Sequence, residues 1–315
     1  MPDEERHGVR LTNLDQPLFP DSRSTKRDLV DYLERMADRI LPVLRDRPLS
    51  VVRVLRGQEP FMQKNLPRYA PDWLPTISLW AQTSHREVRY ARCEDVRTLL
   101  WFANQRAVEY HPTLCDSAGP GYLVMDLDPP EGAGFAAAVG AAYLVREVLT
   151  AAGLSGAVKS SGAKGLHIFV PLAPGPAFDD VAAATRAVAA RAERLDPALA
   201  TTAFIRADRG GKVFLDPTRA GAATVVAAYS PRIRPGTPVS VPVAWSDLDG
   251  FEPGDHTIHT VPDHLGDGDP WAAALPAPQA LPDDLVAEGH TIPAPRVQAM
   301  HEGKRRARAR RAAEA

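Results

Sequence analysis

Residues 121–130, Gly-Tyr-Leu-Val-Met-Asp-Leu-Asp-Pro-Pro, constrain this chain more than any other stretch. The apolar run from Tyr122 to Met125 reads as a buried β-strand, and it ends in two carboxylates, Asp126 and Asp128. Side chains two residues apart on a strand share a face, roughly 6–7 Å apart by the strand rise. Pro129 and Pro130 cannot continue a hydrogen-bonded ladder, so the two acids stand together at a strand end. Like charges held that close repel unless a cation neutralises them, and hard oxygen donors favour Mg²⁺ or Mn²⁺ over zinc. The competing reading is a plain Asp-Pro turn that closes a strand.

A chain of 315 residues accommodates one large domain or two packed lobes, here placed at 1–120 and 121–300. Its formal charge of −2 does not mark a nucleic-acid binder, but the charge is uneven. Residues 301–315 carry six Lys and Arg against two Glu and read as a disordered basic tail able to raise DNA affinity by counterion release. A solvated tail without function explains the same composition. Two cysteines, Cys93 and Cys115, argue against a disulfide scaffold or a zinc cluster and fit a reducing compartment. No apolar run approaches the ~18 residues of a membrane span, and the N-terminus is too charged for a secretory signal. The expectation is a cytoplasmic, nucleoid-associated protein with no membrane partner.

In chain order, Phe19-Pro20-Asp21 reads as a turn, and Thr25 to Asp28 has capping-box spacing ahead of Leu29, Leu33, Met36 and Ile40 at helical period. Lys26 falls in the first turn of that helix, where free N–H groups favour an anion. Residues 49–55 are strand-like and include Arg53. The loop that follows carries Phe61, Met62, Gln63 and Lys64, a mixture that suits base stacking with phosphate contact, or equally a loop anchored on the core. Residues 76–91 alternate as one or two strands. Residues 94–110 read as one amphipathic helix ending at Tyr110-His111-Pro112.

A helix is expected over about 135–152, then strand, turn and strand over 158–171. That turn brings together Ser161, Gly162, Lys164 and Gly165, an anion nest without Walker spacing. His167 alternates with Phe169 and is either a ligand or a core histidine. After a helix near 178–195, a second apolar strand ends in Asp216-Pro217, with Arg209 and Lys212 on its approach. Residues 224–229 and 239–245 read as further strands, Arg232 lies between them, and from 250 onward loops are expected.

Three carboxylates at two strand ends beside a phosphate loop match two-metal nucleotidyl transfer. Asp126-Leu-Asp128-Pro, Ser160-Ser-Gly-Ala-Lys-Gly-Leu-His167 and Lys212-Val-Phe-Leu-Asp216 together resemble the three motifs of archaeo-eukaryotic primase-polymerases. The resemblance is closest to the polymerase domain of bacterial DNA ligase D and its stand-alone Prim-PolC-type relatives. It extends over residues 8–275, through Leu11-Thr-Asn-Leu-Asp, Phe61-Met-Gln-Lys64, His111-Pro112, Thr224 to Ser230 and Pro238 to Trp245.

That resemblance implies an α/β (α+β) primase-polymerase fold with two packed, largely antiparallel sheets and flanking helices. It implies Asp126, Asp128 and Asp216 as ligands of two Mg²⁺ or Mn²⁺ ions. Ser161, Lys164 and His167 would hold an incoming NTP or dNTP, with His111, Arg209 and Arg232 nearby. Lys26 would grip a 5′-phosphate, and Arg53, Phe61, Met62, Gln63 and Lys64 would meet DNA. Gln16 stands where these domains usually carry a second phosphate-binding lysine, and Met62 replaces an aromatic.

No Lys-x-Asp-Gly ligase motif is present. The expectation is a stand-alone repair polymerase that fills short gaps and accepts ribonucleotides, with a separate ligase or end-binding repair protein as partner. A primase, a catalytically silent end-binding module and a metal-dependent phosphoesterase are the alternatives.

Overall fold

The computed structural model describes residues 4–19, 22–81, 85–221 and 223–294. The basic tail and the Pro20-Asp21 corner lie outside them. The chain forms two compact units, each discontinuous in sequence. The first comprises Met1–Ala118, Ala157–Lys164 and Ala222–Leu275; the second comprises Gly119–Gly156, Gly165–Gly221 and Pro276–Ala315. The result is a mixed α/β protein with antiparallel sheets and flanking helices.

In the first unit the capping box forms as its spacing predicts. Thr25 Oγ1 accepts the Asp28 N–H at 3.2 Å, and Asp28 accepts the Thr25 N–H at 2.7 Å. The helix Lys26–Arg35 buries Leu29, Val30, Tyr32 and Leu33. It breaks at Met36 and resumes as Ala37–Leu44, so the period seen in the sequence spans two short helices rather than one.

The strand Leu49–Arg53 pairs antiparallel with Phe61–Gln63, Arg86–Ala91 and Ala107–Pro112. Arg86–Ala91 pairs in turn with Thr76–Ala81, which resolves residues 76–91 into two strands. The helix expected over 94–110 is shorter, Val96–Asn104. Arg106 adopts φ 60°, a left-handed conformation that ends the helical path, and the chain turns into the strand Ala107–Pro112. Tertiary pairing with Leu49–Arg53 overrides the local helical pattern there.

Residues 224–229 do not form a strand: Thr224 makes one isolated bridge to Thr113, and Tyr229 takes φ 67°. Of residues 239–245 only Pro242–Val243 are strand, paired with Ala157–Ser160. The region after 250 is more ordered than expected and includes the helices Val261–His264, Pro270–Ala274 and Asp283–Thr291.

The second unit is built on the strand Tyr122–Asp128, in which Leu123, Val124, Met125 and Leu127 are fully buried. It pairs antiparallel with Leu166–Pro171 on one side and with Val213–Asp216 on the other, and Ala200–Thr201 adds parallel to the latter. The helices Phe135–Ala151 and Phe178–Leu195, near the expected bounds, pack against these strands. Burying an apolar strand at this depth stabilises it by about 1.5–3 kcal/mol for each large side chain.

Gly165 approaches the central strand so closely that a Cβ there would overlap the Leu127 carbonyl oxygen. Gly165→Ala is therefore expected to lower stability in urea denaturation by about 1–3 kcal/mol through overpacking against backbone. An unchanged midpoint would contradict the close approach.

Candidate active site

Register brings the acids together. Asp126 pairs directly with Asp216 across the antiparallel ladder, and Asp126 also stands opposite His167 on the other neighbouring strand. Directly opposed residues share a face, so one strand end presents Asp126, Asp128, Asp216 and His167 to the same side. The three aspartates and His167 thus share one face at one strand end.

Each acid faces a cation or a donor. Asp126 Oδ1 lies 3.3 Å from His167 Nε2, and its Oδ2 accepts a hydrogen bond from Arg219 Nε at 3.1 Å. Burial pushes the Asp126 carboxyl up, but the His167 and Arg219 charges outweigh burial and hold it well below the usual carboxylate range. Asp216 Oδ1 accepts the Thr218 N–H at 2.9 Å and the Thr218 hydroxyl at 2.6 Å, while its Oδ2 lies 3.3 Å from Arg219 Nε. Asp128 Oδ2 accepts from Arg209 Nη1 at 3.3 Å. Arg209 is steered there by stacking on Phe214, its guanidinium 3.7 Å from the ring centroid, because Phe214 is the register partner of Asp128.

Among the described residues no three His, Cys, Asp or Glu groups are already gathered closely enough to hold a metal ion. The donor set is nevertheless that of a hard divalent cation, and one guanidinium nitrogen lies within 3.3 Å of an oxygen from each of Asp126 and Asp216. Two carboxylates that meet at a single positive charge fit such an ion chemically. Asp126, Asp128 and Asp216 are the residues that would hold it.

A second polar cluster lies within the first unit. Glu109 is buried, and its Oε2 lies 2.9 Å from His111 Nε2. Its Oε1 accepts the Ile233 N–H at 3.0 Å and ion-pairs with Arg232 Nε at 3.1 Å. Arg232 Nη1 donates onward to the Ser161 carbonyl oxygen. Burial raises the Glu109 carboxyl, yet the His111 hydrogen bond, Arg232 and the Ile233 N–H bring it down to about 2. Burial, aided by Arg232 and Lys159, lowers His111 against the pull of Glu109, so near neutral pH the imidazole is neutral and donates to Glu109. Beneath the cluster, the buried Lys159 donates to Ser240 Oγ at 2.6 Å. Lys164 is half-buried in the turn after Ser161.

The residues expected at DNA divide differently. Arg53 is buried and donates to the Gln105 carbonyl, to Gln63 Oε1 and to the Tyr69 hydroxyl, so it ties the strand Phe61–Gln63 to its neighbours. Phe61 and Gln63 are half-buried; Met62 and Lys64 are exposed, as is Tyr69. Lys26 is closed off from solvent and donates to the Thr12 carbonyl. Its burial, with Arg106 nearby, brings the ammonium down to about 8.

Two residues central to these clusters carry no motif. Arg219 sits three past Asp216, where a cation behind an acid is a faint signal. Glu109 was hidden by the helical reading of 94–110, because only a strand places Glu109 and His111 on one face.

Comparison with known proteins completes the picture. Residues 25–271 match the model of the LigD primase-polymerase domain family. The chain is 33% identical over 264 residues to the bifunctional non-homologous end joining protein LigD of Bacillus subtilis, covering 82% of this chain and 42% of that protein. It is 35% identical over 257 residues to the multifunctional non-homologous end joining DNA repair protein LigD of Mycobacterium tuberculosis, covering 76% of this chain and 33% of that one. The polymerase domain of M. tuberculosis ligase D, solved in complex with DNA, superposes with a TM-score of 0.77 at 31% identity, covering 86% of this chain and 98% of that domain. An α/β scaffold with its acids at paired strand ends is thus that of a primase-polymerase domain. The chain belongs to the LigD primase-polymerase family, and it spans less than half the length of the curated relatives it matches.

Two outcomes follow from the site. A lysine lowered to about 8 releases its proton in the folded state before the unfolded chain does at its ordinary 10.5. Stability should therefore rise with pH across that window, and Lys26→Met should remove the rise in urea titrations between pH 8 and pH 10. Glu109→Ala should cost about 3–5 kcal/mol by leaving Arg232 uncompensated, while Glu109→Gln, which keeps the Ile233 contact, should cost less. Both variants remove the charge, so equal losses would assign the whole cost to the unpaired Arg232 and none to the Ile233 contact.

Proposed function

We propose that this protein is a template-directed nucleotidyltransferase, a DNA repair polymerase that extends a primer across short gaps. The single observation that carries the reading is the cross-strand pairing of Asp126 with Asp216, two residues from Asp128, in a chain of the LigD primase-polymerase family. The polymerase domain it resembles was solved with DNA, which supports DNA as the partner here. No helix among the described residues is long and apolar enough to cross a membrane.

Mg²⁺ or Mn²⁺ bound by the three aspartates would supply an activated 3′-hydroxyl and charge neutralisation at the leaving pyrophosphate. The chain itself binds and orients. Ser161, Lys164 and His167 take the triphosphate of an NTP or dNTP, and neutral His111 with Arg232, both fixed by Glu109, contacts the nucleotide. Arg209, stacked on Phe214, keeps a positive charge at the rim beside Asp128. Exposed Met62 and Lys64, with Phe61 and Gln63 held over Arg53, form the template platform. Lys26, at the capped helix start, meets a 5′-phosphate once its ammonium leaves the Thr12 carbonyl, and the Gln16 backbone carbonyl accepts the Lys26 N–H. Ribonucleotides are accepted, and a separate ligase or end-binding protein completes the repair.

The reading is tested by primer extension on duplexes with one- to few-nucleotide gaps, with and without a 5′-phosphate, comparing NTPs with dNTPs and Mg²⁺ with Mn²⁺. Asp126→Ala and Asp216→Ala should reduce incorporation to background while gapped-DNA affinity stays within a few-fold. Incorporation close to wild type in either variant would overturn the assignment.

A further inference from the structure

Arg219 contacts both acids of the cross-strand pair. Its Nε–H donates to Asp126 Oδ2 at 3.1 Å, and Nε lies 3.3 Å from Asp216 Oδ2, the two carboxylates that strand pairing sets face to face. The remaining oxygen of each acid is already occupied. Asp216 Oδ1 is held by the Thr218 N–H and hydroxyl at 2.9 and 2.6 Å, and Asp126 Oδ1 by His167 at 3.3 Å. Arg219 therefore covers the two oxygens that are left for a ligand. It does so from the segment just beyond the strand end and Pro217, with its side chain 39% exposed, so it can swing outward without disturbing the sheet. Thr218 and His167 keep both carboxylates aimed after it leaves.

We propose that Arg219 is the internal counterion of the metal-free acid pair and that divalent-cation binding displaces it. This rests on the metal reading of the aspartates given above. In the metal-free protein the guanidinium neutralises two carboxylates that would otherwise repel across the ladder. When the cation enters, its double charge replaces the single charge of the guanidinium, and the cost of that displacement weakens metal affinity. The metal must first break a partly exposed pairing of Arg219 with the two carboxylates, and removing that competition corresponds to roughly tenfold tighter binding.

The test uses the full chain without nucleotide or DNA. Mn²⁺ binding is followed by the electron paramagnetic resonance signal of the free ion for wild type, Arg219→Gln and Arg219→Lys. The expected result is roughly tenfold tighter Mn²⁺ binding by Arg219→Gln, with Arg219→Lys close to wild type. Equal or weaker binding by Arg219→Gln overturns the proposal and leaves the metal reading intact. Absence of Mn²⁺ binding to the wild type and both variants overturns the proposal and the metal reading together.

A second measurement serves if Arg219→Gln does not fold. In ¹⁵N spectra of the wild type, the Arg219 Nε–H signal, assigned by its loss in Arg219→Lys, should be protected from solvent exchange without metal. It should shift and lose protection when Mg²⁺ is added. A signal unmoved by saturating Mg²⁺ refutes the displacement.

Discussion

The antiparallel ladder between Tyr122–Asp128 and Val213–Asp216 sets two carboxylates directly opposite each other, and much of the surrounding chemistry compensates that one repulsion. His167, Arg219 and Thr218 each take part of the charge or a lone pair of Asp126 and Asp216. Arg209 does the same for Asp128 from its seat on Phe214. The apolar core makes this tolerable. With Leu123, Met125 and Leu127 buried and the helices Phe135–Ala151 and Phe178–Leu195 packed on the strands, the backbone that carries the acids cannot move apart to relieve the repulsion. Cations therefore gather around fixed acids.

The first unit solves a related problem with the opposite sign. It buries cationic groups, Arg53, Lys26 and Lys159, which donate to carbonyl, hydroxyl and amide oxygens. Glu109 is the exception: one buried carboxylate joins a neutral imidazole, a guanidinium and a backbone N–H. A group shared among three partners fixes their relative placement more tightly than three separate hydrogen bonds would, since moving any one leaves a buried charge unpaired. That is the property a nucleotide subsite needs before its substrate arrives.

Family membership sharpens what these arrangements are for without supplying the details. The relatives are long multifunctional end-joining proteins of which this chain matches only a part, and the matched part is the polymerase domain. Polymerase chemistry asks for acids whose position is independent of the substrate, and a strand register provides that. Affinity for DNA asks for exposed apolar and cationic side chains; in the first unit Met62, Lys64 and Tyr69 are exposed, and the buried Arg53 donates to the Tyr69 hydroxyl. Lys26 is the outlier, a buried amine whose charge is already weakened by its surroundings.

The sequence by itself determined the local elements and the identity of the acids. The capping box at Thr25 and the apolar run ending in Asp126-Leu-Asp128 were legible because their causes are local: backbone capping and period-two alternation. The helices at Phe135–Ala151 and Phe178–Leu195 followed from apolar period in the same way. The tertiary structure alone decided what is non-local. Residues 107–112 are a strand because Leu49–Arg53 offers a partner, and only then do Glu109 and His111 share a face. Residues 224–229 lose their strand to a left-handed Tyr229, and Arg219 enters the site because a cross-strand pair of like charges needs a cation between them. Long-range pairing and charge compensation depend on which segments meet in space, and that information is not carried by any one stretch of the chain.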